Sequence, residues 1–425
     1  MNVLIVGAGA REHALTWKAL QSPLTNAVYC APGNAATASI AINTGLAPTD
    51  VDGIARFIAE RDIGLTVIGP EAAVDAGLAD RLAASGRLVF GPTRAAGRIE
   101  SSKAFAKSLM ARAGVATPEY RVFDDPASAK DFVRGERRPF VVKADGLAKG
   151  KGTLVPRDAE ETLECIDTLM VRKTVGAAAD RIVLEEKIEG REVSLMALVD
   201  GERIVALPPA CDYKRALDDD KGPNTGGMGG YTPVSFFDDD AVARAVETVL
   251  RPVAGVLREE GTPYRGCLYA GLMVTSSGVQ VLEFNARFGD PEAQVVLPRL
   301  ADDLVPLLEA TARGELGGVA PTWSKQASVG VVLASRGYPG TYQTGHPISG
   351  LGTLEPGVFA FHAGTSAGAG GYLTAGGRVL TLVALGDSIA EARDRAYRNV
   401  DRISFQGVTC RRDLALRELG APALP

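Results

Sequence analysis

The stretch Val281-Leu-Glu-Phe-Asn-Ala-Arg-Phe-Gly-Asp-Pro-Glu292 constrains this chain most, because an apolar strand there ends in Glu283, Asn285 and Arg287 at alternating positions. Side chains two apart on a strand share a face. The spacing predicts a carboxylate, an amide oxygen and a guanidinium on one surface, with Phe284 turned back into the packing. Two readings fit such a stretch taken alone. It is either a buried strand whose polar end meets solvent, or a surface that holds a metal against a polyphosphate. Mg²⁺ suits the second, because it takes hard oxygens from one or two protein groups and leaves its other positions to phosphate and water.

A chain of 425 residues exceeds one ordinary core and predicts about two to four domains. Its 46% hydrophobic and 23% charged residues are ordinary for a globular protein, and a net charge of −5 gives no electrostatic footprint for nucleic acid or an anionic membrane. The start Met-Asn-Val-Leu-Ile-Val-Gly has no charged region followed by a long apolar run, and no segment sustains the ~20 apolar residues of a membrane span. A cytoplasmic protein without nucleic-acid or membrane partners is expected. Cys30, Cys165, Cys211, Cys267 and Cys410 are scattered, odd in number and never paired as Cys-x-x-Cys, so buried thiols are expected rather than disulfides, zinc ligands or a nucleophile. With only His13, His346 and His362 present, histidine-based metal or triad chemistry is poorly supplied.

Residues 1–102 alternate strand and helix, with strands at Val3–Val6 and Leu65–Ile68 and helical patterning at Ile54–Glu60 and Ala72–Ala84. This predicts a Rossmann-like parallel sheet covered by helices, with ligands at the carboxyl ends of its strands. Gly7-Ala-Gly9-Ala-Arg-Glu12 follows the first strand but fails as a dinucleotide fingerprint, since Glu12 stands at the third glycine position and no ribose-binding acid follows the second strand. That argues against an NAD-dependent oxidoreductase. A carboxylate there repels a pyrophosphate and suits an amine or a sugar hydroxyl; Gly69-Pro70-Glu71 sets a second carboxylate at a comparable strand end.

From 103 to 325 the order is mixed α+β. Lys103 opens a helix through Ala113; Phe140–Lys143 and Arg181–Glu185 are strands; Glu192–Leu207 is a hairpin turning at Asp200-Gly201. A long amphipathic helix, Asp240–Glu260, precedes paired strands at Cys267–Thr275 and Val279–Glu283. A mixed α/β region, 326–425, follows, with strands at Val329–Ala334 and Val379–Ala384, a glycine-rich hairpin at 367–377 and a helix at Ala390–Val400.

Two further segments carry chemistry. Lys143-Ala-Asp-Gly-Leu-Ala-Lys-Gly150-Lys151-Gly152 joins a strand-borne lysine to a glycine-rich loop whose N–H and ammonium groups suit a polyphosphate, although its spacing is not that of a P-loop. Leu184-Glu185-Glu186-Lys187-Ile188 through Glu192 is either a solvated charge run or an extended edge that reads an adenine, with carboxylates for its amine and for ribose hydroxyls.

In this order, Lys103, Lys143 with its loop, the Glu185 edge, Glu192 and Glu283-Phe-Asn285 resemble the ATP-grasp fold over roughly 103–325, with a lid subdomain inserted at about 119–187. Asp212-Tyr-Lys214-Arg, Gly222-Pro-Asn-Thr-Gly-Gly-Met-Gly-Gly230, the complete 283–292 stretch, Gly7-x-Gly9-x-Arg-Glu12-His13 and Gly69-Pro-Glu71 narrow the resemblance to the glycinamide ribonucleotide synthetase family, over essentially the whole chain. The resemblance implies that Lys103, Lys143, Gly150, Lys151 and Gly152 bind ATP phosphates, that Glu185, Glu186 and Ile188 hold the adenine and Glu192 the ribose, and that Glu283 and Asn285 ligate Mg²⁺ or Mn²⁺. It also implies that Asp212, Lys214 and Arg287 serve catalysis, and that these three with Gly9, Glu12, Glu71, Asp290, Pro291 and Glu292 face glycine and phosphoribosylamine. One departure stands out. Many ATP-grasp enzymes place another metal carboxylate on the preceding strand, but Tyr269-Ala-Gly-Leu-Met273 supplies none.

The implied activity joins glycine to phosphoribosylamine at the expense of ATP, by way of glycyl phosphate, in a monomer or weak homo-oligomer. The alternative is an ATP-grasp ligase acting on a different carboxylate and amine. A regulatory ATP-binding protein without catalysis fits poorly, because Lys143, Glu283, Asn285 and Arg287 are all present.

Overall fold

The computed structural model describes residues 1–148 and 150–420. The N-terminal alternation forms a five-stranded parallel sheet in the order Ile42–Asn43, Ala27–Pro32, Asn2–Gly7, Ile63–Ile68, Val89–Phe90. Val3 and Ile5 pack with Ala14 and Leu15 of helix Ala10–Ala19, whereas Leu4 and Val6 pack with Ile54 and Ile58 of helix Val51–Glu60. Cover on both faces is why the central strand is uninterruptedly apolar. The single helix expected over Ala72–Ala84 is instead two pieces, Glu71–Asp75 and Leu78–Ala83. Gly77 between them sits at φ +80°, a left-handed conformation that glycine adopts at little cost and that ends a helix.

The central region builds two antiparallel sheets. The lid sheet runs Tyr120–Phe123, Ile182–Glu186, Phe140–Ala144, Thr153–Leu154, and closes over a core of its own that includes Val133, Phe140, Ile166 and Leu184. The second runs Ile204–Ala206, Arg191–Asp200, Arg265–Thr275, Gly278–Asn285. Helix Lys103–Ala113 starts where expected, because the Ser102 hydroxyl accepts the Phe105 N–H, and it stops at the left-handed Gly114. The long helix expected at Asp240–Glu260 is interrupted: Asp239–Ala245 and Arg251–Glu259 are joined by a wide π turn, Val246–Leu250. That turn precedes Pro252, whose ring crowds the carbonyl four residues back.

The C-terminal sheet runs Cys211–Asp212, Gly229–Thr232, Ala327–Ser335, Arg378–Gly386, Val358–His362, with Val408–Thr409 on the flank of Ala327–Ser335. Its first two strands come from the central region, so the sheet crosses the boundary expected at 325/326. Asp212 and the 226–230 glycines are thereby mounted on it. A Cβ at Gly229 would lie 2.4 Å from the Gly330 carbonyl, so the approach of these strands requires glycine. The glycine-rich stretch near 370 is a hairpin, Thr365–Gly368 with Gly371–Thr374. No described helix is long and apolar enough to cross a membrane.

Candidate active site

The N-terminal sheet, the two central sheets and the C-terminal sheet all contribute walls to one cleft of about 870 Å³. Its floor is set by a bulge. Register pairs Leu272 with Val281 but Gly271 with Glu283, which leaves Leu282 as an extra residue in Gly278–Asn285. An extra residue reverses the faces of those that follow. Val281 and Phe284 therefore enter the same core, while Glu283, Asn285 and Arg287 line the cleft. In an unbroken strand Val281 would have shared the polar face.

Arg287 organises this surface. Its Nη2 donates to Asn285 Oδ1 at 3.1 Å and pairs with Glu100 Oε1 at 2.9 Å, and its Nε lies 3.7 Å from Glu71 Oε2. The other Glu100 oxygen accepts the Ala286 N–H at 2.7 Å. Burial raises the pKa of Glu71, but Arg287 and Arg11 outweigh it and hold the carboxyl below its ordinary value. Glu283 behaves alike: burial raises it, and Lys214, Lys103, Lys143 and Arg287 more than compensate. Three of those cations are committed elsewhere, Lys214 to Glu192, Lys143 to Glu185 and Arg287 to Glu100. The Glu283 carboxylate thus stands ionised in a positive field. Together with the Asn285 amide oxygen it fits a divalent cation, and no group of three or more His, Cys, Asp or Glu among the described residues offers a closed alternative.

Beside this surface, Lys143 Nζ donates to Glu185 Oε2 at 2.8 Å and to the Leu282 carbonyl at 2.9 Å. Asp145 receives the Ala104 N–H at 2.7 Å, so the start of the glycine-rich loop is tied to the helix that carries Lys103. Gly150 holds φ +77°, and a Cβ there would approach the Thr225 carbonyl to 3.2 Å. Gly150, Gly152, Glu185, Glu186, Ile188 and Glu192 all line the cleft. Lys151 is exposed and does not line the cleft, and Pro291 packs beside Gly227, where a Cβ would lie 2.5 Å from its ring. Lys149 of the same loop lies outside the described residues.

At the opposite wall, Lys214 Nζ is 2.8 Å from Glu192 Oε2 and 3.8 Å from Asp212 Oδ1. Ser194 Oγ reaches Asp212 Oδ1 at 3.3 Å, Glu292 Oε1 at 3.1 Å and Tyr269 Oη at 2.8 Å. Burial and the surplus of carboxylates around a single lysine push the Asp212 pKa up to about 7. Glu12 was expected to receive a ligand; Gly9 N–H donates to its Oε2 at 2.7 Å and Arg11 Nε to its Oε1 at 2.6 Å. The carboxylate fills the turn that a pyrophosphate occupies in dinucleotide folds, and it first serves the loop. Asp290 is held by Arg378 Nη2 at 3.1 Å and Gln294 Nε2 at 2.6 Å, with Gly9 close by.

The chain matches, in order, the family models for the phosphoribosylglycinamide synthetase N domain over residues 1–100, the ATP-grasp (A) domain over 101–293 and the C domain over 328–417. It is 46% identical to a phosphoribosylamine–glycine ligase of Streptomyces coelicolor, over 99% of this chain and 100% of the relative. With that of Rhodopirellula baltica it shares 45%, over 98% of each. The chain belongs to the phosphoribosylglycinamide synthetase family. The crystal structure of the Thermotoga maritima phosphoribosylamine–glycine ligase superposes with a TM-score of 0.85 at 34% identity, covering 98% of this chain and 100% of that one. Biotin carboxylase of Campylobacter jejuni shares the fold, with a TM-score of 0.73 at 15% identity over 99% and 95% of the two chains.

Within this synthetase-family fold, four cleft-wall or supporting residues carry no signal used in the sequence analysis: Glu100, Lys107, Ser194 and Arg378. Lys107 carried a usable signal, since it falls one helical turn after Lys103 and so shares its face. The others are brought in by tertiary contacts to residues far along the chain, and no local pattern marks them.

Proposed function

We propose that the cleft binds ATP between Lys103, Lys143, Gly150 and Gly152 at its phosphates, the Glu185 to Ile188 edge at its base and Glu192 at its ribose, with Mg²⁺ or Mn²⁺ on Glu283 and Asn285. The chain is an ATP-dependent carbon–nitrogen ligase that joins glycine to phosphoribosylamine and yields glycinamide ribonucleotide, ADP and phosphate. A carboxylate is a poor electrophile, so one glycine oxygen takes the terminal phosphoryl group before the ribosylamine nitrogen attacks. Both partners of that first transfer are anionic. Lys103, Lys143 and Arg287 offset their repulsion as charge shifts toward the transition state. A divalent ion held by Glu283 and Asn285 would supply further charge neutralisation.

The acyl phosphate must be kept from water. The lid sheet has its own core, and its glycine-rich loop already touches the 225–226 turn, so closure of that loop excludes solvent without disturbing the rest. The attacking amine sheds a proton, and Asp212, with its raised pKa and its place beside Lys214, is the group that takes it. Arg287, Asp290 and Glu292 orient the two small substrates, and Gly9, Glu12 and Glu71 close the sugar end.

One observation carries this reading: an ionised carboxylate, Glu283, stands beside an amide oxygen and three cations already fixed by other partners. Release of ADP tests it. Turnover requires glycine and phosphoribosylamine together; ADP release with another acid and amine pair at comparable rates would assign the cleft to a different ligase.

A further inference from the structure

Lys107 has no part in the chemistry above, yet it is only 2% exposed and lines the cleft. A buried ammonium is expensive unless it is paired and hydrogen-bonded. Its Nζ donates to Thr117 Oγ1 at 2.6 Å and lies 3.2 Å from Glu185 Oε2. The same Oε2 receives Lys143 Nζ at 2.8 Å. One carboxylate oxygen therefore holds two ammonium groups. The other, Oε1, is buried with no hydrogen-bond partner among the described residues.

The arrangement continues to the bulge. Thr117 Oγ1 donates to the Val281 carbonyl at 2.7 Å, and Lys143 Nζ donates to the Leu282 carbonyl at 2.9 Å. Lys143 directly, and Lys107 by way of Thr117, thus reach successive carbonyls just before Glu283, and the two lysines share Glu185 between them. Without Lys107, nothing stops the Glu185 carboxylate from turning both oxygens onto Lys143. That would draw the Lys143 ammonium back from the cleft and close the free acceptor.

We propose that Lys107 is a positioning residue for the nucleotide: by holding Glu185 Oε2 it aims the remaining N–H of Lys143 at a phosphate and leaves the buried Glu185 Oε1 unpartnered, as an acceptor for the amino group of the base. The inference rests on the placement of ATP given above. It adds a specificity device, since an unpartnered carboxylate oxygen favours a base bearing an amino group over one bearing a carbonyl at that edge, where no donor would meet it.

The test is steady-state kinetics of the full chain with ATP and with ITP, in Lys107→Met, Glu185→Gln, the double variant, Thr117→Val and Lys143→Met. Loss of one charge-assisted contact predicts that Lys107→Met raises the KM for ATP ~10-fold or more. The KM for glycine stays within about twofold, and the preference for ATP over ITP shrinks, neither of which general destabilisation produces. Because Lys107 acts through Glu185, the double variant is no worse than Glu185→Gln alone. An unchanged KM for ATP in Lys107→Met, an unchanged ATP to ITP ratio, or effects that multiply in the double variant would overturn the inference. Should Lys107→Met fail to fold, Thr117→Val decides, with a ~3-fold rise in the KM for ATP expected from loss of one neutral hydrogen bond, and no rise counting against it. A normal KM for ATP in Lys143→Met instead removes the ATP placement itself, and so separates the two failures.

Discussion

Gly271 stands directly opposite Glu283 across the strand pair, and a Cβ there would meet Glu283 Cγ at 3.3 Å. Glycine at this position gives the carboxylate room to stand against the cleft floor, on the strand where many ATP-grasp enzymes carry a second metal acid. Gly271→Ala should displace Glu283 by a few tenths of an ångström with little effect on folding. The expected result is a ~3- to 10-fold rise in the Mg²⁺ concentration for half-maximal ADP formation, because misplaced ligands weaken a site that demands near-ideal octahedral geometry. Melting temperature should move by no more than a degree or two.

Glu283→Gln keeps the shape and removes the charge. Losing a charge-assisted contact of about 1.5–3 kcal/mol lowers ADP formation about 10- to 100-fold. Near-normal turnover in this variant would rule out the metal assignment.

Asp212, with its pKa pushed up to about 7, should give the rate an acid limb if it is the base proposed above. Below that pH the carboxyl is protonated and cannot accept the proton of the amine; above it the base form is present, so kcat/KM for phosphoribosylamine rises with pH through about 7. Asp212→Asn should flatten that limb and slow turnover by ~100-fold. The KM for ATP should change less than that for phosphoribosylamine, since Asp212 meets the nucleotide end only through Lys214 and Glu192.

The parts of this site that were legible in the sequence are those where local pattern and local structure coincide. Lys103 follows a serine that caps its helix, the hairpin turns at Asp200-Gly201, and the 283–287 alternation names the polar face. The parts that were hidden depend on partners distant along the chain. The Leu282 bulge is a matter of register with Arg265–Thr275, and no residue in it announces an extra position. Glu100 reaches Arg287 across 187 residues, and the glycine-rich Gly229–Thr232 is a strand only because Ala327–Ser335 lies beside it. Asymmetry of this kind is physical: propensity acts over a few residues, whereas burial and pairing act over the whole fold.

His13 and His362 join the N-terminal helix to the C-terminal sheet, with the His362 N–H donating to His13 Nδ1 at 2.9 Å. Burial lowers the His13 pKa from 6.5 to about 4 and that of His362 to about 3. Both are neutral in the folded chain, whereas the unfolded chain takes up protons first as the pH falls. Stability is therefore fully present above about pH 6.5 and is lost on acidification toward the folded value, by on the order of 3 kcal/mol for His13 at pH 4. His13→Asn retains an acceptor for the His362 N–H and cannot titrate. Its melting temperature should fall less steeply between pH 6.5 and 4.5 than that of the unaltered chain, and an equal slope would show that other groups govern acid lability.

Arg378 is where the C-terminal sheet enters the site. Its Nη1 donates to the carbonyls of Gly226 at 2.6 Å and Asp290 at 3.2 Å, and its Nη2 to Asp290 Oδ2 at 3.1 Å. One guanidinium thereby joins the glycine-rich 226–227 turn to the Asp290-Pro291-Glu292 turn, both of which border the wall assigned to glycine and phosphoribosylamine. Full removal of a partner from a buried carboxylate costs about 3–5 kcal/mol, so Arg378→Met confounds folding with function. Arg378→Lys keeps the charge, but an ammonium is a point donor and does not span two carbonyls and a carboxylate in the fork geometry of arginine. The lysine variant should therefore fold, with a lowered melting temperature, and show KM values for glycine and phosphoribosylamine raised by ~10-fold through loss of the bidentate contact. The KM for ATP should rise less, because among the partners of Arg378 only Gly226 comes near the phosphate-binding loop, beside Gly150. A rise confined to ATP would mean that the 290–292 turn serves the nucleotide, and the division of the cleft between its substrates would have to be redrawn.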